Sequence, residues 1–355
     1  MNLTIFKNKT VLITGGTGSL GKTLLRRLLS NGDDTPSSII LFSRDEAKQH
    51  SLRQEYLSVK NATDELIYNN FHNKVKFVIG DVRNFNDVAN VLNGVDIVMN
   101  TAALKQVPSC EYFPYQAIET NLSGPNNIVN AINNLKLPVE SVVGISTDKA
   151  CQPINVMGMT KALQERIFLT SNIQNESTRF ICVRYGNVLA SRGSVIPLFL
   201  SQIADGGPLT ITDKRMTRFL LSLDDAVDLI FNALLKAKSG ETFIPIVPSA
   251  KMTDLAKVLI GDRKIEVKYT GIRPGEKIHE SLISSEEMLR ARKIDNNTYA
   301  INSVLPELVH NKPDDLPLEE YTSENDNISK EELHNLLNSK DLLTIKSFSN
   351  TEILA

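Results

Sequence analysis

The segment KTVLITGGTGSLGKTLLRRLLSNG, residues 9–32, predicts the first elements of the fold. It opens with KTVLIT, a short run of β-branched and apolar residues that is typical of a buried strand. Leucines at 20, 24, 25, 28 and 29 then recur at helical spacing, and this pattern stops at Gly32. The glycines between the two patterns predict a tight turn that leads from a strand directly into a helix.

The same alternation of strand and helix continues through the first half of the chain. Further apolar runs predict strands at residues 38–43, 75–80, 95–102, 139–147 and 179–186. Their apolar residues are continuous rather than alternating, which indicates a sheet that is covered on both faces. The predicted fold class is therefore α/β, a doubly wound parallel sheet of the Rossmann type.

The rhythm changes after about residue 187, which divides the chain into three predicted parts. Residues 1–187 form the dinucleotide-binding domain, with returning segments from about 213–248, where Ser222 is the expected N-cap of a helix. Residues 188–320 form mainly a smaller mixed region, with short strands at 208–212 and 264–269. Residues 321–355 are an extension with one more amphipathic helix. The smaller region is expected over the carboxyl ends of the strands, where α/β folds bind ligands.

Composition indicates an ordinary globular chain of 355 residues with a formal net charge of −2. No long basic run is present, so nucleic acid is not an expected partner. No apolar run reaches the ~18–20 residues that span a bilayer, which predicts a cytoplasmic protein without a membrane segment. Three scattered cysteines and five scattered histidines predict neither a structural disulfide nor a metal site.

The turn TGGTGSLG carries Gly15, Gly18 and Gly21 between a strand and a helix. Glycines there let backbone N–H groups and the helix N-terminus approach a pyrophosphate, so this turn predicts a dinucleotide site. Ser43 and Arg44 end the second strand, where an NAD-selective site usually has an acid for the ribose 2′-hydroxyl. A guanidinium suits a 2′-phosphate, which favours NADP over NAD, although Asp45 follows at once.

Eight motifs in order give the chain a family resemblance. Between about residues 8 and 285 they read TGGTGSLG, FSRDE, GDVRN, NTAALKQVPSCEYFPYQAIETN, STDKACQPINVMGMTK, RYGNVLASRGSVIPLF, MTRFLLS and GIRPGEKIHESL. This set resembles the extended short-chain dehydrogenase/reductases. More narrowly, it resembles the UDP-N-acetylglucosamine 4,6-dehydratases of surface-polysaccharide and nonulosonic acid biosynthesis.

The resemblance implies a dehydration with internal recycling of the cofactor. NADP takes a hydride from C4 of the sugar, which acidifies the C5 proton. A base removes that proton, an acid protonates the departing C6 hydroxyl, and the hydride returns to C6. The implied product is a UDP-4-keto-6-deoxy-N-acetylhexosamine, made by a homo-oligomeric enzyme.

The same resemblance assigns the proton-transfer residues. Asp148 is the implied acid at C6 and Lys149 the implied base at C5, while Thr147 relays or accepts a hydrogen bond from the C4 hydroxyl. Lys161 binds the nicotinamide ribose. Met157 replaces the family's usual tyrosine; a subset of these dehydratases shares this methionine, so the change does not imply a dead enzyme. The membrane-anchored relatives that carry it retain the C5 configuration, which favours retention here.

Binding residues follow by the same similarity. The implied cofactor contacts are Gly15, Thr17, Gly18, Ser19, Leu20, Gly21, Ser43, Arg44, Asp81, Val82, Ala102, Ala103, Lys105 and Lys161. The implied substrate contacts are Lys105, Asn187, Val195, Thr212, Arg218, Arg273 and Glu276, with Lys277 as a further cation and Glu111 and Asn121 as braces. His279 is interpreted as a local helix residue.

Three alternatives stay open at this point. A nucleotide-sugar 4-epimerase would oxidise and reduce C4 alone, without an acid–base pair for C5 and C6. A silent NADP-binding sensor would have lost several catalytic groups, whereas one is missing here. The nucleotide is also open, because the contacts that separate UDP from GDP sugars are not readable from the sequence.

Overall fold

The structure is a computed structural model, and it describes residues 3–57, 62–189, 194–325 and 327–343. The strands are β1 Thr10–Thr14, β2 Ser38–Ser43, β3 Val75–Ile79, β4 Ile97–Asn100, β5 Ser141–Thr147, β6 Arg179–Tyr185, β7 Leu209–Ile211, β8 Thr217–Phe219, β9 Thr242–Pro245, β10 Ser249–Lys251, β11 Val267–Tyr269, β12 Ser281–Ile283, β13 Ala291–Asp295, β14 Thr298–Ile301 and β15 Tyr321–Thr322. The six strands predicted in the first half are confirmed, each within two residues at its ends.

The helices are α1 Ser19–Leu29, α2 Glu46–Leu57, α3 Ala62–Lys74, α4 Phe85–Val91, α5 Val107–Tyr112, α6 Pro114–Ile118, α7 Gly124–Leu135, α8 Val156–Gln174, α9 Val195–Ala204, α10 Leu223–Lys236, α11 Met252–Ile260, α12 Ser285–Met288 and α13 Lys330–Ser339. Ser222 caps α10 through a reciprocal bond pair with Asp225, which confirms the predicted N-cap. In the described ranges, no helix is both long and apolar enough to cross a bilayer.

The main sheet confirms the predicted doubly wound fold. Among the described residues its order is β13-β14-β9-β6-β5-β4-β1-β2-β3, and β9 through β3 are parallel neighbours. The chain runs from β1 outward to β3, then returns to β4 on the other side of β1. This reversal opens a crevice beyond the ends of β1 and β4, where α/β folds bind their ligands.

Apolar packing covers both faces of this sheet. Buried side chains of α1 and α10 pack on one face, around Leu24, Leu28 and Phe231. Those of α4, α7 and α8 pack on the other face, around Ile128 and Phe168. Burial on both sides explains why the strands read as continuous apolar runs.

The second half of the chain differs in detail from its prediction. Residues 291–301, predicted within the smaller region, form β13 and β14 and extend the main sheet through antiparallel pairing with β9. The strand expected at 264–269 is shorter, since β11 is Val267–Tyr269 and pairs with β7.

The extension also packs on the smaller region. Strand β15 pairs with β12, and α13 buries Leu333 and Leu337 in the same apolar cluster as α11. The described part of 321–355 is therefore integral to that region, while residues 344–355 lie outside the described residues.

Candidate functional site

The glycine turn after β1 forms a narrow cradle beside the end of β4. Gly15 has a φ of +65°, and a Cβ on it would lie 2.9 Å from the Cα of Ala102. A Cβ on Gly21 would lie 2.6 Å from the carbonyl oxygen of Gly16. Gly18 stands at the N-cap of α1 and has no side chain to bond the N–H groups of the first turn. This backbone fits the pyrophosphate of a dinucleotide.

The other residues expected at the cofactor surround this cradle. Thr17, Ser19 and Leu20 are half-buried along the turn and the start of α1. Ala102 is half-buried after β4, whereas Ala103 and Lys105 are exposed. The ends of β1 and β4 thus bring residues 17–20 and residues 102–105, which are distant in sequence, to one crevice.

The end of β2 carries an exposed cation, Arg44, whereas the acid that follows it, Asp45, is already bonded within the protein. The Arg44 side chain is exposed, with Nη1 3.6 Å from Oδ2 of Asp81. Asp45 accepts the backbone N–H of Lys48 at 3.0 Å and pairs with the Lys48 ammonium, and these contacts lower the pKa of Asp45. Gln49 donates to the hydroxyl of Ser43 at 2.9 Å. Asp45 is therefore engaged as a helix cap.

Asp81 and Val82 follow β3, and Asp81 lines an open groove of about 630 Å³. Burial alone would raise the pKa of Asp81, but hydrogen bonds from Arg83 outweigh it and lower that pKa. Val82 is buried, and its carbonyl accepts from the side chain of Asn127 at 2.9 Å. The resemblance implies cofactor contacts at Asp81 and Val82, next to this groove.

Asp148 follows β5 and is completely buried. Its Oδ1 accepts from the Thr147 hydroxyl at 2.9 Å and from the Lys149 ammonium at 3.1 Å. Its Oδ2 has no hydrogen-bond partner within the described part of the chain. Burial raises the pKa of Asp148, because the attraction of Lys149 only partly offsets the lost solvation. The carboxyl group is therefore biased toward the protonated form.

Lys149 lies between two carboxyl groups. Its ammonium is 3.1 Å from Oδ1 of Asp148 and 3.2 Å from Oε1 of Glu280. Burial would lower the pKa of Lys149, but Asp148 and Glu280 outweigh it and raise that pKa. The side chain is 20% exposed, so the pair does not face bulk solvent. In this arrangement Lys149 holds its proton.

Met157 and Lys161 both lie on α8, with different surroundings. Met157 is buried in a small apolar cluster with Cys110 and Ala117. The Lys161 ammonium donates to Oε1 of Gln164 at 2.7 Å, and burial lowers its pKa to about 8.

Gly158 lets α8 approach the turn that contains Asp148 and Lys149 closely. A Cβ there would lie 2.1 Å from the carbonyl oxygen of Lys149. The helix backbone therefore rests directly on the Asp148–Lys149 turn.

The start of α8 is tied to the loop that contains RPGEK. Asn155 caps the helix by accepting the N–H of Gly158 at 2.8 Å, and its amide donates to the carbonyl of Gly275 at 2.8 Å. Glu111 accepts the N–H of Val156 at 2.7 Å. Asn121 bonds the backbone of Leu104 and the hydroxyl of Thr160, so both expected braces contact the site's framework.

Two residues expected at the substrate carry buried oxygen atoms without partners. Oδ1 of Asn187 and Oε2 of Glu276 find no hydrogen bond among the described residues. Gly186, beside Asn187, approaches Asp148 closely, since a Cβ there would lie 3.3 Å from Oδ2. Unsatisfied buried acceptors are costly, and a bound ligand would satisfy them.

The expected cations are placed differently from one another. Arg218 donates through Nη1 and Nη2 to the carbonyls of Ile278 and Lys277, so it braces that segment. Lys277 donates to the carbonyl of Cys151 at 2.7 Å, and Arg273 is exposed. Val195 begins α9 and Thr212 follows β7, both half-buried.

Glu280 is the functional residue that sequence reasoning missed. It lies 131 residues after Lys149 in the chain and is 2% exposed. The sequence offers a single signal, its position at the end of the KIHE motif, and nothing there indicates a contact with Lys149. His279, its neighbour, bonds the Thr217 hydroxyl at 2.8 Å and lies outside any helix.

A second buried ionic cluster lies between β6, α8 and α12. Arg184 donates to Glu165 and to Glu287, each at 2.7 Å, and also to the carbonyl of Leu282. Burial would raise the pKa of Glu287, but the charge of Arg184 lowers it to about 2. Glu165 further accepts from Ser146. One guanidinium therefore bridges two buried carboxyl groups.

Comparisons with known proteins agree with this architecture. The polysaccharide biosynthesis protein family model matches residues 11–302. A UDP-glucose 4-epimerase of Rickettsia conorii is 46% identical over 292 residues, which cover 81% of each chain. A UDP-glucose 4-epimerase of Rickettsia bellii is 45% identical over 297 residues and 82% of each chain.

Solved structures give the same picture. Pen from Bacillus thuringiensis is 36% identical, with a TM-score of 0.84 over 96% of this chain and 99% of that one. DesIV, a dTDP-glucose 4,6-dehydratase from Streptomyces venezuelae, has a TM-score of 0.64 at 22% identity, over 76% and 86% of the two chains, and supports the fold alone. The chain belongs to the polysaccharide biosynthesis protein family and has the extended short-chain dehydrogenase/reductase fold.

Proposed function

We propose that this chain is an NADP-dependent 4,6-dehydratase of UDP-N-acetylglucosamine that supplies surface glycan or nonulosonic acid synthesis in the cytoplasm. The observation that carries the proposal is the buried Asp148, whose pKa is raised by burial and whose carboxyl group lies 3.1 Å from the ammonium of Lys149. Elimination of water across C5 and C6 needs an acid at the departing hydroxyl and a base at C5. Changing C4 alone needs no such pair.

Asp148 is the proposed acid at the C6 hydroxyl. Its Oδ2 faces no protein donor or acceptor in the described ranges, so this oxygen is available to a ligand. The Thr147 hydroxyl and Lys149 ammonium hold the other oxygen and fix the carboxyl plane. Protonation of the leaving hydroxyl by a positioned acid contributes about 10²- to 10⁴-fold to a rate.

Lys149 is the proposed base at C5. Its raised pKa favours the ammonium, so the base step proceeds from the fraction of molecules in which Lys149 has released its proton to solvent while Asp148 keeps its own. Lys149 then takes the C5 proton and Asp148 gives its proton to the C6 oxygen, after which the Lys149 proton passes to the new Asp148 carboxylate and restores the pair. The two residues thus exchange protonation states within one turn of the cycle.

The cofactor assignment rests on the glycine cradle and on the end of β2. A bound nicotinamide dinucleotide supplies reversible hydride acceptance at a sugar carbon. Arg44 is the proposed contact of a 2′-phosphate, because Asp45 is engaged in capping α2. Arg44→Ala should weaken NADP binding about tenfold and NAD binding much less. Fluorescence titrations with each dinucleotide measure this difference.

The substrate assignment rests on unsatisfied polar atoms. Asn187 and Glu276 are proposed to bind the diphosphate-sugar and the uridine ribose, because each has a buried oxygen without a partner in the described residues. Arg273 and Lys105 supply cations for the diphosphate. Arg218 donates to the backbone carbonyls of Ile278 and Lys277 and so supports the segment that contains Glu280. This supporting role replaces the direct contact with the substrate that the sequence predicts.

A 4-epimerase is the second candidate, and the names of the Rickettsia relatives favour it. Both reactions begin with hydride loss at C4, so both need a group that takes the C4 hydroxyl proton. Met157 cannot do so, and the Thr147 hydroxyl is the proposed relay in either case. The buried Asp148 with its proton would then have no step to perform.

Incubation of the protein with UDP-N-acetylglucosamine and NADP in deuterated buffer separates the two candidates. Dehydration exchanges the C5 proton for deuterium and creates a 6-methyl signal in the proton NMR spectrum. The ring couplings report retention at C5, which is the expected stereochemistry. A product changed only at C4, with its C5 proton intact, would replace the proposal by the epimerase. A GDP-linked sugar run in parallel tests the nucleotide.

Assembly into a homo-oligomer is part of the proposal. Tyr112, Phe113 and Tyr115 around α5 and α6 are more than half exposed, as is Leu163 on the adjoining α8. Exposed apolar side chains of this number are typical of subunit contacts. Sedimentation should show a dimer or larger species, and Tyr115→Ser with Leu163→Ser should lower its mass. A monomeric wild type would remove this part of the proposal.

A further inference from the structure

We propose that Glu280 is a positioning residue that holds the Lys149 ammonium between two carboxyl groups and thereby keeps Asp148 in its protonated form. This inference rests on the proposed function, in which Asp148 is the acid. It assigns a role to Glu280 of the GIRPGEKIHESL motif, a residue to which the resemblance gives none. Glu280 contacts the Lys149 ammonium and acts on the Asp148 carboxyl group only through it.

The contacts form one line of alternating charges. Asp148 Oδ1, the Lys149 ammonium and Glu280 Oε1 follow one another at 3.1 and 3.2 Å. Arg218 Nε closes the line 3.8 Å from the same Glu280 oxygen. Glu280 is 2% and Asp148 0% exposed, so water screens these charges little.

Glu280 competes with Asp148 for one ammonium. Without it, the charge of Lys149 would act on Asp148 alone and favour the carboxylate form. With it, Lys149 is compensated from the other side, and the negative charge of Glu280 adds to burial in raising the pKa of Asp148. Lys149 and Arg218 lower the pKa of Glu280 against its burial, so Glu280 is the carboxyl that ionises.

The remaining charged groups nearby face elsewhere. The Lys277 ammonium donates to the carbonyl of Cys151. His279 bonds the Thr217 hydroxyl through Nδ1 and lies 3.7 Å from Glu324 through Nε2. The direct contacts of the Asp148 carboxyl in the described structure are thus Thr147 and Lys149, with Glu280 next in line.

The backbone of Glu280 is fixed by the C-terminal extension. Its N–H donates to the Ser323 hydroxyl at 2.9 Å. The Ser323 backbone N–H donates to the carbonyl of Glu280 at 2.8 Å. Ser323 also contacts the Thr217 hydroxyl at 2.8 Å, beside Arg218. The carboxylate is therefore held by three separate segments of the chain.

Glu280→Gln tests this role, because it removes the charge and keeps the shape. The pKa of Asp148 should fall by about one unit or more. Infrared titration of the ligand-free protein with ¹³C-carboxyl aspartate measures this pKa directly, and Asp148→Asn assigns the band. The proposed acid works only when protonated, so the alkaline limb of the kcat profile should move to lower pH by the same amount.

Two further variants control for structure. Glu324→Gln makes the same charge change at an exposed carboxylate nearby and should leave the Asp148 titration unchanged. Glu280→Asp keeps the charge and should restore most of the wild-type value. It also provides a second measurement if Glu280→Gln fails to fold.

The outcomes separate this inference from the proposed function. An unchanged Asp148 band in folded Glu280→Gln would overturn the role of Glu280, whatever reaction the enzyme performs. A shifted band without any dehydration by the wild type would overturn the proposed function and leave the charge coupling intact. A shift of both the band and the kcat profile supports both.

Discussion

Two buried ionic clusters connect the parallel sheet to the C-terminal region, and they differ in how well their atoms are satisfied. In the Arg184 cluster, the guanidinium forms paired bonds with Glu165 and Glu287. In the Lys149 cluster, Asp148 and Glu280 each keep one buried oxygen without a partner among the described residues. A satisfied network stabilises an interface, whereas an unsatisfied one stores free energy that a ligand can release.

The difference also appears in the protonation states. Arg184 lowers the pKa of Glu287 to about 2, so this carboxyl group stays ionised. Burial raises the pKa of Asp148 despite its contact with Lys149. Perturbed carboxyl groups of this kind are concentrated at reactive sites. This contrast favours the proposal that the chemistry lies in the Lys149 cluster, whereas the Arg184 cluster connects the two regions.

Asp148→Asn should have the largest effect and should act on rate alone. The amide keeps the shape of the carboxyl but cannot deliver the proton, so kcat should fall by about 10²- to 10⁴-fold. NADP binding, followed by fluorescence, should stay within twofold of the wild type. Met157→Ala is the matched control, and its loss should be much smaller. Wild-type turnover in Asp148→Asn would exclude this residue as the acid.

Arg184→Met should have the opposite effect, because it should lower the free energy of unfolding rather than the rate. It leaves Glu165 and Glu287 buried without their cation, which costs about 3–5 kcal/mol of unfolding free energy. Urea denaturation at pH 7 measures the change. Arg215→Met removes an exposed ion pair and should leave the curve nearly unchanged. Equal curves for the two variants would contradict the distinction between the clusters.

Lys161→Met should stabilise the protein while ending turnover. Burial lowers the pKa of Lys161 from 10.5 to about 8, so between these values the unfolded chain binds more protons than the folded one. The contribution of Lys161 to the free energy of unfolding of the wild type therefore becomes more favourable as the pH rises across that window. At pH 7 the variant should be more stable by about 2 kcal/mol, and this advantage should shrink by pH 10. A pH-independent difference between the two unfolding curves would contradict the argument.

Ser323→Ala should have the smallest effect and tests the support behind Glu280. Loss of its hydroxyl leaves the Glu280 N–H without its side-chain acceptor, at a cost of about 1–2 kcal/mol. The alkaline limb of the kcat profile should move to lower pH, part of the way toward that of Glu280→Gln. Ser51→Ala, at an exposed helix position, is the control for both measurements. Unchanged stability and kinetics in Ser323→Ala would show that the extension does not support this cluster.

The sheet was predictable because its signals are local. Each strand of the first half is a continuous apolar run, and the glycine turn adjoins its own strand and helix. The neighbours Asp148 and Lys149 were readable for the same reason, since adjacency in sequence ensures proximity. Sequence also indicated the cationic end of β2, although not that Asp45 caps the next helix.

The partners that determine protonation were not predictable from sequence. Glu280 reaches Lys149 through the packing of β12 and β15, and Glu287 reaches Arg184 across 103 residues. Neither contact has a spacing or a pattern in the chain. The pairing of β13 and β14 with the main sheet likewise depends on tertiary packing, because short amphipathic strands fit either region.

Gly158 and the preceding Met157 differ in how strictly their surroundings restrict the side chain. Any side chain at 158 would collide with the carbonyl of Lys149, so this position requires glycine. Met157 points into a soft apolar cluster instead, where residues of many shapes can be accommodated. The methionine at 157 is thus held by apolar packing alone, whereas the contact at 158 sets how closely α8 can approach the turn that contains Asp148 and Lys149.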